Sequence, residues 1–313
     1  MKSNIAIIIL NYKRYDLTID CIKKIIEYNE DVSLIVVDNF SENHSLENIK
    51  KSLPNVPSVL INEDDTYCIN TINRIFLIQA KNNYGYAKGN NIGIRFALKG
   101  NFEYIAILNN DIIVKDDIFK KMSDYISNVS RDYVLFGPLL YYGDGHIDYN
   151  CTRKKFSFVD LLLSTPLVGK LSEIFWKKRQ VGYDYMNSHP QDVDIIKGCF
   201  MFFRKDLFDK IDGFDPNTFL YFEEPILCKK IHDAGYKVMF LPMFNAIHLH
   251  SATVSMLPDS KIYQANEMYK SMAYYLENYS DFTIWEKMTL LTLYKISILL
   301  LIVKSKYQRI INP

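Results

Sequence analysis

Ile5-Ala6-Ile7-Ile8-Ile9-Leu10 runs straight into Asn11-Tyr12-Lys13-Arg14, and this junction decides the reading of the chain. An unbroken apolar run rich in β-branched residues is the pattern of a strand covered on both faces. It is too short for a signal peptide and has no cleavage-site pattern behind it, so a buried strand is expected. Downstream, Asp16 to Tyr28 carries Leu17, Cys21, Ile22, Ile25 and Ile26 at helical spacing. Ser33 to Val37 is a second buried strand ending at Asp38-Asn39. Residues 73–79 read as a third, followed by the turn-rich Asn82 to Asn91 and a helix over Ile92 to Leu98. Tyr104 to Leu108 is a fourth, ending at Asn109-Asn110-Asp111. This alternation predicts an α/β chain with a doubly wound, mostly parallel sheet. Ligands bind such sheets beyond the carboxyl ends of the strands. Asn11-Tyr12, Asp38-Asn39 and Asn109 to Asp111 all stand at such ends.

The second half is less regular. Asp194 to Phe203 reads as one strand containing Gly198-Cys199, Leu207 to Ile211 as a short helix and Gly213 to Pro216 as a turn. Residues 223–234 read as a helix with Pro225 in its first turn, where proline is tolerated. Residues 152–180 mix Arg153, Lys154, Lys155 and Lys170 with Phe156, Phe158, Phe175 and Trp176, an insertion suited to an acceptor or a membrane. Met288 to Val303 is apolar apart from Lys295 and precedes Lys304, Lys306 and Arg309; its 16 residues fall short of the ~20 that span a bilayer. A helix lying in the interface against anionic lipid is expected. The competing reading for both segments is packing against the core or a homodimer interface.

With 313 residues, 49% hydrophobic and 23% charged, the chain suits one large domain plus an extension: residues 1–255 and a helical 256–313. The formal net charge of +1 gives no global attraction to nucleic acid, so no nucleic-acid partner is expected. The five cysteines are scattered without a C-x-x-C pair, which points to reduced cytosolic thiols rather than disulfides or zinc.

Several polar groups are candidates for chemistry. Asp111, flanked by amides at a strand end, suits Mg²⁺ or Mn²⁺ already carrying diphosphate oxygens, or else closes an Asx turn. Asp38 suits the imide N–H of a uracil or thymine ring, or else a helix N-cap. Gly85 and Gly89 permit close approach of backbone to a ligand, or mark an ordinary loop. Glu223 and Glu224 follow the aromatic Phe219 to Phe222; burial and like charge would raise one pKa, as a general base requires, while a solvated helix start is the alternative. His248 and His250 alternate on an extended segment, and neutral imidazole is a good Mn²⁺ ligand.

In this order the pieces resemble family 2 of the inverting glycosyltransferases, which have the GT-A fold, in its rhamnosyltransferase-like and galactofuranosyltransferase-like branch. The resemblance covers roughly residues 4–255 and rests on Asn11-Tyr12, Val37-Asp38-Asn39-Phe40-Ser41, Asn83 to Asn91, Leu108 to Asp111, Asp212 to Asp215, Tyr221 to Glu224, and Pro242 to His248. It implies a nucleoside-diphosphate sugar donor, dTDP- or UDP-linked, held by Asn11, Tyr12, Arg14, Asp38, Asn39, Asn83, Gly85, Lys88, Gly89, Asn91, Asn109 and Asn110. It implies a Mg or Mn cation on Asp111 and His248, with Glu224 as catalytic base beside Glu223. A lipid-linked glycan acceptor at the inner face of a bacterial membrane, in surface-polysaccharide synthesis, is implied as well. Glu224 stands where the family commonly has Asp, and Ile226 where an acid is common. A catalytically silent binding subunit on the same fold is the alternative. A sugar nucleotidyltransferase would want a glycine-rich basic loop that Asn11 to Arg14 lacks.

Overall fold

The computed structural model describes residues 4–29, 31–65, 69, 74–165, 183–250 and 260–311. Its first half runs β1 (Ile5–Asn11), α1 (Tyr15–Tyr28), β2 (Val32–Asp38), α2 (Ser45–Lys51), β3 (Ser58–Asn62), β4 (Ile75–Gln79), α3 (Gly85–Leu98) and β5 (Tyr104–Asn109). Strands β3, β4, β2, β1 and β5 lie side by side, all parallel. Ile7 to Ile9, Leu34 to Val37 and Ile105 to Leu108 have no exposed surface, as unbroken apolar runs require. The register sets Asn11 beside Asp38, Asp38 beside Gln79 and Leu10 beside Asn109, so the polar strand ends share one edge of the sheet.

The second half adds β6 (Ile112–Ile113), α4 (Ile118–Ile126), β7 (Tyr133–Tyr142), β8 (Thr152–Arg153), α5 (Phe158–Ser164), β9 (Gln191–Val193), β10 (Ile195–Ile196), β11 (Phe200–Arg204), α6 (Glu223–Asp233), β12 (Lys237–His248), α7 (Ser260–Asn278) and α8 (Ile284–Ile311). β11 enters antiparallel between β5 and β7, and β12, parallel to β7, carries β6 and β9 on antiparallel pairings.

Five sequence expectations change. The turn-rich 82–91 segment is helix from Gly85 onward. Gly89 and Gly93 let α3 sit directly on Leu10 and Ile8, and this packing offsets their low helix propensity. β7 was hidden by Gly137-Pro138; opposite Pro138, which donates no hydrogen bond, the β12 register slips between Leu241 and Asn245. β3 and the strand at 75–79 replace a single strand at 73–79, and residue 73 lies outside the described residues. The expected strand at 194–203 breaks at Lys197-Gly198-Cys199, where the Gly198 N–H turns to a side chain of α6. Of the insertion, 166–180 lies outside the described residues.

The last correction concerns the C-terminus. α8 has 28 residues rather than 16, and its Ile284–Lys306 portion, mean hydropathy 1.7, meets the length and composition of a membrane span. One stripe of it (Leu290, Tyr294, Ile298) packs with Met272, Tyr275 and Leu276 of α7 onto Phe222, Ile226 and Leu161, forming a second apolar cluster. Ile284, Trp285, Met288, Ile296, Leu299, Leu300 and Val303 are exposed. Ile226 is fully buried there, which explains why an apolar residue replaces an acid.

Candidate active site

The strand-end residues of β1 and β2 form a closed lattice. Asp38 Oδ1 accepts from Asn11 Nδ2 (2.6 Å) and Ser41 Oγ (2.5 Å), and Oδ2 from the Ser41 N–H (3.0 Å) and Gln79 Nε2 (3.0 Å). Four donors use the full acceptor capacity of a carboxylate. Asn11 Oδ1 in turn accepts from Thr18 Oγ1 (2.7 Å). The two residues therefore pin the loops on which a donor would rest.

Asn39 and Asn83 do the same for α3. Asn39 Nδ2 donates to Asn83 Oδ1 (2.9 Å) and the Gly85 carbonyl (3.1 Å), and Asn39 Oδ1 accepts from the Tyr84 N–H (3.0 Å). Asn83 Oδ1 also accepts from the Gly85 N–H (3.1 Å), satisfying amides that a helix start leaves open. Gly85 has φ +75° and lies against the Phe219 backbone with no room for a Cβ. Asn91 clamps Phe214 from both sides, Nδ2 to its carbonyl at 2.8 Å and Oδ1 to its N–H at 2.9 Å. The close approaches of Gly85 and Gly89 are thus to protein. Lys88, with Asn91, lines a separate hollow on the outer face of α3 with Glu63 and Arg95.

Asn110 Nδ2 donates to the Arg14 carbonyl (3.2 Å) and Thr18 Oγ1 (3.0 Å), tying the β5 end to the β1 loop. The Arg14 guanidinium pairs with Asp16 at 2.7 Å, which holds its pKa above the ordinary value. Half-buried Tyr12 lies under the Lys13 ammonium, 5.1 Å from the ring centre.

The remaining candidates converge on a cavity of about 430 Å³ lined by Asn109, Lys197, Gly198, Glu223, Glu224 and His248. Pairing of β6 with the end of β12 brings His248 to Asp111, with Nε2 3.3 Å from Oδ1 and both side chains buried. An imidazole nitrogen and a carboxylate oxygen meeting in one small volume fit a Mg²⁺ or Mn²⁺ ion. No group of three or more His, Cys, Asp or Glu converges among the described residues, so such an ion would complete its shell from diphosphate and water. His250 leaves the strand at φ +55°, yet its ring lies 5.0 Å from that of His248.

Glu223 and Glu224 open α6 after Tyr221 and Phe222, two bulky residues in succession at φ +74° and +65°. Such backbone persists only where packing imposes it, and it gathers at functional sites. Here Phe222 is held by the Tyr275 ring, 5.2 Å away. Half-buried Glu224 accepts from the Gly198 N–H through Oε1 (3.1 Å). Glu223 is buried, and its Oε1 has no hydrogen-bond partner. Burial, then the nearby Glu224 charge, pushes its carboxyl from 4.5 up to about 8.

Three groups here were not singled out as site residues in the sequence. Tyr86, whose hydroxyl donates to the Gly198 carbonyl (2.6 Å), read as a loop residue, and burial raises its pKa. Lys197 and Arg153 also line the cavity. The Lys-Gly pair ahead of an apolar run was the available signal for the first, while Arg153 was lost among neighbouring basic residues.

A family model described as "Glycosyl transferase family 2" matches residues 6–212. The chain is 27% identical over 169 residues to rhamnosyltransferase WbbL of Escherichia coli K12, covering 53% of this chain and 61% of that one. It is 22% identical over 227 residues to the low-salt glycan biosynthesis hexosyltransferase Agl10 of Haloferax volcanii, covering 70% and 67%. Among solved structures it resembles GalNAc-T7 with UDP, GalNAc and Mn²⁺ (TM-score 0.59, 14% identity, 90% of this chain and 48% of that one). It also resembles the Pyrobaculum calidifontis mannosyltransferase PcManGT with GDP-Man and Mn²⁺ (0.55, 11%, 98% and 76%) and Staphylococcus aureus TarS 1–349 with UDP-GlcNAc (0.52, 14%, 95% and 72%). These likenesses establish the GT-A fold. With a matched domain over most of its sheet, the chain belongs to glycosyl transferase family 2.

Proposed function

We propose that this chain moves a sugar from a dTDP- or UDP-linked donor to a lipid-linked glycan acceptor, with inversion, at the cytoplasmic face of a bacterial membrane. The observation that carries this reading is one cavity holding the Glu223–Glu224 pair and the His248 side of the His248–Asp111 pair. Glu224, oriented by the Gly198 N–H, takes the proton of an acceptor hydroxyl. The hydroxyl oxygen bonds to the anomeric carbon as the bond to the diphosphate oxygen breaks, the electron pair leaving with the diphosphate. One displacement through an oxocarbenium-like state inverts the centre. Glu223, protonated at neutral pH, spares the site a second buried anion. Asp111 and His248 would hold a Mg²⁺ or Mn²⁺ ion, which when bound supplies positive charge to the diphosphate.

Rhamnose is the first donor sugar to test, because the E. coli relative carries that name, with galactofuranose and N-acetylhexosamine next. The exposed apolar residues of α8, with exposed Lys304 and Lys306 near its end, support a peripheral membrane contact near a lipid acceptor. The test is nucleoside diphosphate release across a panel of dTDP- and UDP-sugars with Mn²⁺ or Mg²⁺, comparing wild type with Asp111→Asn. Release from one donor, lost in the variant, is expected. Neither release nor thermal stabilisation by any donor would favour a silent binding subunit.

A further inference from the structure

The catalytic cavity carries a buried ion pair with no role in the scheme above. Lys197 Nζ lies 2.5 Å from Asp148 Oδ2, with the lysine side chain 14% exposed and the aspartate not at all. Asp148 Oδ1 accepts from the Tyr142 hydroxyl (2.9 Å) and the Asn150 N–H (3.0 Å), so the carboxylate is firmly held. Burial works against the Lys197 ammonium, but neighbouring Cys199 and Asp148 outweigh it and its pKa is raised. The group therefore stays charged.

A buried ion pair contributes little net stability compared with a well-packed apolar pair, so its position matters more than its energy. Lys197 lines the cavity together with Asn109, Glu224 and His248, one residue before the Gly198 that orients Glu224. Tyr142, which holds Asp148, has its ring 5.8 Å from His250, and His250 adjoins His248. The pair is thus built into the same wall as the His248–Asp111 end. An ammonium has three donors, and the bond to Asp148 uses one of them. The substrate group with the greatest need of such a donor is a diphosphate.

We propose that Lys197, anchored by Asp148, is a second, protein-borne cation for the donor's diphosphate, sharing with Asp111 and His248 the task of holding the leaving group. This rests on the donor reading above. It implies that nucleoside diphosphate binds measurably with no divalent metal present.

The test is calorimetric titration with UDP, dTDP, uridine and thymidine in EDTA. The proteins are wild type, Lys197→Met, and the double variant Lys197→Met/Asp148→Asn, which leaves no buried carboxylate uncompensated. Wild type is expected to bind a diphosphate well above its nucleoside. Both variants should lose about 10- to 100-fold of diphosphate affinity, the worth of one charged hydrogen bond, with nucleoside affinity unchanged. Equal wild-type affinity for diphosphate and nucleoside in EDTA overturns the inference without any variant. A folded double variant that binds diphosphate as wild type does also overturns it, while leaving the donor reading intact. Wild type that binds no diphosphate even with Mn²⁺ overturns both.

Discussion

Two polar regions of the molecule behave in opposite ways. Along the β1, β2 and α3 edge, the side chains of Asn11, Asp38, Asn39 and Asn91 spend their donors and acceptors on one another or on backbone. Around α6 and the end of β12, Glu223 Oε1 and His248 Nδ1 are buried without a hydrogen-bond partner. A satisfied network rigidifies, whereas an unsatisfied buried polar group costs stability and persists where a ligand or reaction uses it. The first region is scaffold, and under the proposed function the second is where chemistry is expected.

The sharpest way to break that contrast is Glu224→Gln. The amide oxygen can still accept the Gly198 N–H, so melting should hold while sugar transfer falls by about 100- to 10,000-fold, the worth of a general base. Next comes Ile226→Asp, which would restore an acid common in the family but place it in the second apolar cluster. An unpaired charge there should lower stability by about 3–5 kcal/mol in denaturant unfolding. Asn91→Ala, in the scaffold network, leaves the Phe214 N–H and carbonyl without their clamp and should lower stability by about 1–3 kcal/mol. Donor chemistry in the surviving folded fraction should change little.

The last test sharpens the comparison through pH. Between its ordinary value of 4.5 and its folded value of about 8, Glu223 binds a proton in the native state that the unfolded chain has released. Wild-type stability from this group is greatest below the lower value, falls as pH rises between the two and levels off above. Glu223→Gln should flatten that decline, so the variant gains on wild type from pH 5 to pH 8 in urea melts. A pH-independent difference would mean that the carboxyl is not strained by burial.

The parallel half was legible in the sequence because Ile5 to Leu10 and Ser33 to Val37 are buried on both faces and carry no conflicting signal. The polar residues behind them mark the strand ends for the same reason, and Tyr221 to Glu224 stood out as acids behind aromatics. Legibility failed where tertiary contacts override local propensity. Gly85 and Gly89 look like loop residues because Phe219 and Leu10, which explain them, are far away in sequence. Gly137-Pro138 disguised a central strand by the same logic. Lys197 and Asp148 are 49 residues apart, and no local pattern announces their pairing. The roles of Asp38 and Asn91 could not be read from residue type, since a scaffold carboxylate or amide looks the same as a ligand-binding one until its partners are seen.

The most direct test of the central claim measures Glu224→Gln against wild type in one experiment, with donor affinity by calorimetry and transfer to a lipid-linked acceptor under saturating donor. Donor affinity within about twofold of wild type and transfer reduced at least about 100-fold is the predicted result. Transfer at wild-type rate by a folded Glu224→Gln protein would contradict the account and move the reaction away from the α6 carboxylates.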